Sequence, residues 1–140
     1  MAASATPSLL YVTDFSDSSM SALEWAIAEA LNHNLHLSVL YPYRLDQVKK
    51  KENGIQSKKE LELEAAEKFE RLAEGMLQKS KISFDFKAEI GFLRDRITEH
   101  AKKHNDVLLV IGKKLASAES FTELVEETNI PVVIIPQKRR

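Results

Sequence analysis

Apolar residues along this chain fall into two alternating rhythms. Five apolar runs have strand character: Leu9–Phe15, Leu35–Tyr41, Ile82–Ile90, Val107–Ile111 and Pro131–Ile135. Between them, apolar residues recur at the spacing of one helix face. The first helical stretch, Asp17–Asn32, carries Met20, Leu23, Ile27, Ala30 and Leu31; Ser16 is placed to cap it and Asp17 to meet its positive end. The second and longest, Lys58–Lys79, carries Leu61, Ala65, Phe69, Leu72 and Met76, supported by Glu64 with Lys68 and Glu67 with Arg71 four residues apart. Gly75 is a weak point in it. The third, Leu93–His104, turns Leu93, Ile97 and Ala101 inward, and the fourth, Ala118–Thr128, is carried by Phe121, Leu124 and Val125.

Strands that alternate with helices predict an α/β fold, a mainly parallel sheet with helices on both faces. Leu9–Val12 and Val107–Ile111 are almost continuously apolar, as central parallel strands are. Ile82–Ile90 instead alternates Ile82, Phe84, Phe86, Ala88 and Ile90 with Ser83, Asp85, Lys87 and Glu89, which turns one face to water and places this strand at a sheet edge. The only long connection, Pro42–Ser57, holds Lys49-Lys50-Lys51-Glu52-Asn53-Gly54 and reads as a solvated loop rather than an anion patch. No internal repeat or second domain is visible. Residues 1–8 read as a loose arm and 137–140 as a short basic tail, leaving one domain for the 140 residues.

Composition narrows the chemistry. A formal net charge of -1 argues against a nucleic-acid partner, which calls for a strong basic excess. The absence of cysteine excludes disulfides, thiolate metal sites and cysteine nucleophiles, and is compatible with a reducing cytoplasm, the expected location. No apolar stretch approaches the roughly 20 residues of a membrane helix, and the start lacks the basic and apolar regions of a secretory signal.

Several segments carry a resemblance. Leu10-Tyr11-Val12-Thr13-Asp14-Phe15-Ser16, followed by Ser19-Met20-Ser21-Ala22-Leu23-Glu24-Trp25-Ala26, is similar to the opening strand and helix of the universal stress protein family. Leu35–Pro42, Gly91 before a helix, Asp106–Gly112 and Ile130–Pro136 resemble its later strands in order, so the resemblance covers nearly the whole chain. It implies an open five-stranded parallel sheet of order 3-2-1-4-5, Rossmann-like and of the adenine nucleotide alpha hydrolase-like type. That order agrees with the edge and central strands read above. A ligand crevice then falls at the topological switch between strands 1 and 4, at Asp14 and Gly112.

The resemblance further implies a cofactor-binding role for Asp14 on the base and ribose side, for Leu40 near an adenine, and for Gly112 as first glycine of a Gly-x-x-Gly-x9-Gly-Ser/Thr loop. Such glycines let backbone N–H groups approach phosphate. Leu115 stands at the second glycine position. Counting forward gives Val125 and Glu126 where the final pair belongs; counting back from Pro131 gives Ala118 and Glu119, a shortened loop. ATP binding is therefore expected to be lost or very weak. Asp14 also has a plain role, ordering the strand-to-helix turn, and Leu40, like Val39 beside it, reads on its own as a core residue. The family's common antiparallel pairing of the last strand implies a homodimer through Val132, Val133, Ile134 and Ile135, a run too apolar for an exposed edge.

Other chemistry finds no support. His100 and His104 stand four apart, but no third ligand is evident, and they read as exposed helix histidines rather than a metal site. Ser16 lacks a His–Asp set, and Gly112-Lys113-Lys114 lacks the rest of a Walker loop. The expectation is a non-enzymatic stress-response protein acting through dimerisation and an unknown protein partner. The alternative is a regulatory module that holds ATP or another adenine-containing ligand through altered contacts.

Overall fold

The structure, a computed structural model, describes residues 6–44, 50–51, 54–55, 57–117 and 121–137. Its elements run β1 (Ser8–Val12), α1 (Asp17–His33), β2 (His36–Tyr43), β3 (Lys50–Lys51), β4 (Gly54–Ile55), α2 (Lys58–Ala73), α3 (Leu77–Ser80), β5 (Phe84–Ile90), α4 (Leu93–Lys103), β6 (Asp106–Gly112), α5 (Lys113–Ala116), α6 (Phe121–Glu127) and β7 (Val132–Ile135). The main sheet has the order β5-β2-β1-β6-β7 with every neighbouring pair parallel. Without the small antiparallel hairpin β3–β4, this is the expected order 3-2-1-4-5.

β1 is buried at every residue because it lies centrally between two helical layers. Its even and odd side chains divide between them, as strand geometry requires. Leu9 and Tyr11 join Ala22, Leu23, Ala26 and Ile27 of α1 and Phe69 and Ala73 of α2; Leu10 and Val12 join Ile97 of α4 and Phe121 and Leu124 of α6. Each face thus carries two main helices.

Local chemistry sets several boundaries differently from periodicity. Ser8 opens β1 instead of belonging to the arm, and β1 stops at Val12 rather than Phe15. Phe15 takes a left-handed φ of 64°, an uncommon conformation for an aromatic residue. Its N–H donates to Thr13 Oγ1 and the next N–H to Asp14 Oδ1, so side chains replace the strand ladder there. Ser16 then caps α1 by accepting from Ser19 N–H. A capping box of Ser57 and Glu60 starts α2. The long second helix breaks at 74–76, around Gly75, and resumes as α3. In place of one helix from Ala118, a four-residue α5 follows β6 and α6 spans Phe121–Glu127; Ala118 and Glu119 lie outside the described residues. Leu31 and Val125, expected inward, are exposed.

Candidate functional site

The sheet brings Asp14 and Gly112 to the same edge, at the carboxyl ends of adjacent strands β1 and β6. Asp14 Oδ1 accepts from Ser16 N–H at 2.9 Å and from Ser19 Oγ at 2.7 Å, and its own N–H donates to Ser19 Oγ. Partial burial works against the charge, but the Ser16 and Ser19 hydrogen bonds, aided by the Lys114 cation, hold the carboxyl below its ordinary range. Asp14 is therefore an anion anchored to the start of α1. Beside it Phe15 meets Tyr41 edge-on at 5.0 Å, and Lys68 Nζ lies 4.6 Å from the Phe15 ring centre.

Gly112 sits differently from the glycine of an open phosphate loop. Its φ of -73° is ordinary, so the need for glycine is purely one of space. A Cβ there would lie 2.6 Å from Ser18 Oγ and 2.8 Å from the Ser18 carbonyl carbon and oxygen. The Lys114 N–H donates to Ser18 Oγ at 3.2 Å. Beyond it the chain winds into α5, where Leu115 packs on the α4–α6 side of the core. Leu40 is apart from this: its side chain is fully buried with Leu10, Val12, Ile97 and Ile111, and its carbonyl accepts from Thr13 N–H, next to Asp14.

The other polar concentration lies at the opposite, amino-terminal end of the sheet. His100 is buried, which corrects the expectation of an exposed helix histidine. Its Nδ1 lies 2.6 Å from Asp106 Oδ2, and Asp106 Oδ1 accepts from Ser8 Oγ at 2.8 Å. The His104 ring stacks on His100 at 4.0 Å, with Nδ1 donating to the His100 carbonyl. The available signal was an aspartate opening an otherwise apolar strand one short turn after a histidine-bearing helix end. Among the described residues no group of three or more His, Asp or Glu could hold a metal, and no helix is long and apolar enough to cross a membrane.

The family model of the universal stress proteins matches residues 7–136. The chain belongs to the universal stress protein family. No curated protein sequence matches it. Solved universal stress proteins share its fold at low identity. UspA from Lactobacillus plantarum is 19% identical with a TM-score of 0.70, covering 93% of this chain and 97% of its own. The Archaeoglobus fulgidus universal stress protein, solved in complex with dAMP, is 16% identical with a TM-score of 0.66 over 93% and 97%. An Arabidopsis thaliana family protein with AMP bound is 17% identical with a TM-score of 0.62 over 95% and 92%. As a universal stress protein, this chain carries at Gly112 a switch-point glycine packed directly against the start of α1.

Proposed function

We propose that this universal stress protein is a non-enzymatic stress-response protein, acting through pairing of its copies and contacts with a protein partner, with ATP binding lost or very weak. The observation that carries the reading is the hydrogen bond from Lys114 N–H to Ser18 Oγ, beside the closed contact of Gly112 with Ser18. A backbone donor of the kind that would meet a phosphate is already engaged. Leu115 occupies the second glycine position and packs inward, so the backbone there cannot open into a cradle without exposing core. The exposed ammonium groups of Lys113 and Lys114 supply charge but not directed backbone donors.

A charge-assisted hydrogen bond contributes roughly 1.5–3 kcal/mol. Losing two or three weakens affinity by several orders of magnitude, since about 1.4 kcal/mol is tenfold. Titration calorimetry with ATP and magnesium is expected to show no binding at micromolar nucleotide, and no hydrolysis should follow. A low-micromolar dissociation constant abolished by Asp14→Ala would overturn the reading. A second reading, a smaller adenine ligand such as AMP, is favoured by the anchored Asp14 carboxylate and the adjacent Phe15–Tyr41 pair. It also draws on the relatives solved with AMP and dAMP. AMP titrated in parallel separates the two readings.

The dimer rests on β7. It is an edge strand of four apolar residues; Val133 and Ile135 pack toward the α1–α2 side, Val132 toward the other, and Ile134 is 47% exposed. Such an edge invites pairing, and a two-fold related copy closes it. Light scattering at micromolar concentration is expected to give twice the chain mass. Ile134→Lys should give the monomer with an unchanged circular dichroism spectrum. A wild-type monomer at every concentration would refute the dimer.

A further inference from the structure

Away from the crevice, the amino-terminal end of the sheet assembles a serine, an imidazole and a carboxylate in one hydrogen-bonded chain. Ser83 and Asp85 stand two apart on either side of Phe84, the first residue of β5, so in extended backbone their side chains share a face. His36 opens the neighbouring β2, and the parallel register Leu37↔Phe84 and Ser38↔Asp85 sets it beside both. The ladder bond from Leu37 N–H to the Ser83 carbonyl, 2.9 Å, fixes that alignment. His36 Nε2 lies 2.6 Å from Asp85 Oδ1 and His36 Nδ1 lies 2.9 Å from Ser83 Oγ.

In a neutral imidazole the proton position follows from the partners. A carboxylate can only accept, so Nε2 carries the ring proton; Nδ1 of the neutral ring then accepts from the Ser83 hydroxyl. A nucleophile within reach of a base that is itself oriented by a third group is the arrangement that activates a serine. The three residues line a pocket of about 290 Å³ together with Ser38, His104 and Asn105, and Ser83 is exposed to solvent.

We propose that Ser83, His36 and Asp85 form a nucleophilic acceptor site, at which Ser83 takes an acyl group from an activated ester or thioester. Ser83 Oγ bonds to the acyl carbon as the bond from that carbon to the leaving oxygen or sulfur breaks. The hydroxyl proton passes to His36 Nδ1 and from there to the leaving group. Asp85 is a positioning residue that holds the imidazole tautomer. This site goes beyond the crevice and the dimer edge and depends on neither.

The test uses the full chain with p-nitrophenyl acetate as the probe, following nitrophenolate release and mapping acetylated peptides by mass spectrometry. Ser83 is expected to be acetylated, and Ser83→Ala to remove that modification. His36→Gln should slow it roughly a hundredfold, the scale of one general base, with added imidazole restoring part of the rate. Asp85→Asn should slow it as well, and Asp85→Glu should recover part of the loss. Circular dichroism establishes that each variant is folded. Acetylation confined to lysines or His104, or Ser83 acetylated as fast in folded His36→Gln as in wild type, would overturn the proposal.

Discussion

Asp106→Ala is expected to destabilise the domain by about 2–3 kcal/mol, the scale of leaving a buried polar group without its hydrogen-bond partner. Asp106 gives one carboxylate oxygen to His100 and the other to Ser8, and its side chain has no solvent exposure. Removing it leaves a buried imidazole N–H without its acceptor, which carries a desolvation penalty, and leaves the Ser8 hydroxyl only its longer bond to the Asn105 carbonyl, 3.3 Å. The loss is a large share of the roughly 5–15 kcal/mol that separates folded from unfolded domains. Urea denaturation should show a lower midpoint at unchanged slope. Asp106→Asn keeps one acceptor and should lose clearly less. If Asp106→Ala lost under 1 kcal/mol, the pair would contribute little to stability. The position explains the size: Ser8 begins β1, Asp106 begins β6 and His100 lies near the end of α4, so one carboxylate ties two adjacent strands to the helix that leads into β6.

The fold was legible because its signals are local and repeated. The apolar runs Leu9–Val12 and Val107–Ile111 marked the central strands, and the alternation in Ile82–Ile90 marked an edge. One chirality of crossover then left few ways to wind the sheet. Asp14 and Gly112 were legible as crevice residues because a switch point follows from strand order alone. The polar clusters at the other end were not, since they depend on register. Ser83 and Asp85 reach His36 across separations of 47 and 49 residues, and only the alignment of two strands brings them together. His100 looked like a surface residue because its helix periodicity names Leu93, Ile97 and Ala101 as the inward stripe; His100 follows Ile97 by three positions and is buried with it. The closure of α5 on α1 was hidden for another reason. Four helical residues carry no periodic signal, and the Ser18 hydroxyl that receives Lys114 N–H comes from 96 residues away.

Gly112→Ala is expected to cost about 3 kcal/mol in the absence of any nucleotide, at the upper end of the usual range for overpacking. In a chain of this length that lowers the thermal midpoint by roughly 10 °C. A single methyl group is enough because two of the three atoms it would meet belong to the Ser18 backbone, at 2.8 Å, and a helix start cannot turn aside as a side-chain tip can. Ser18→Ala in the same chain removes only the Oγ contact and the bond to Lys114 N–H, so the double variant should recover a minor part of the loss. Gly75→Ala is the control, since a Cβ there meets nothing within 4 Å; its effect should stay within about 1 kcal/mol. If Gly112→Ala were as stable as wild type, the contact with Ser18 would yield readily, the segment after β6 could open toward a ligand, and the case against a phosphate cradle at this edge would weaken. A large loss in nucleotide-free protein instead assigns this glycine to helix–strand packing, a role that needs no ligand.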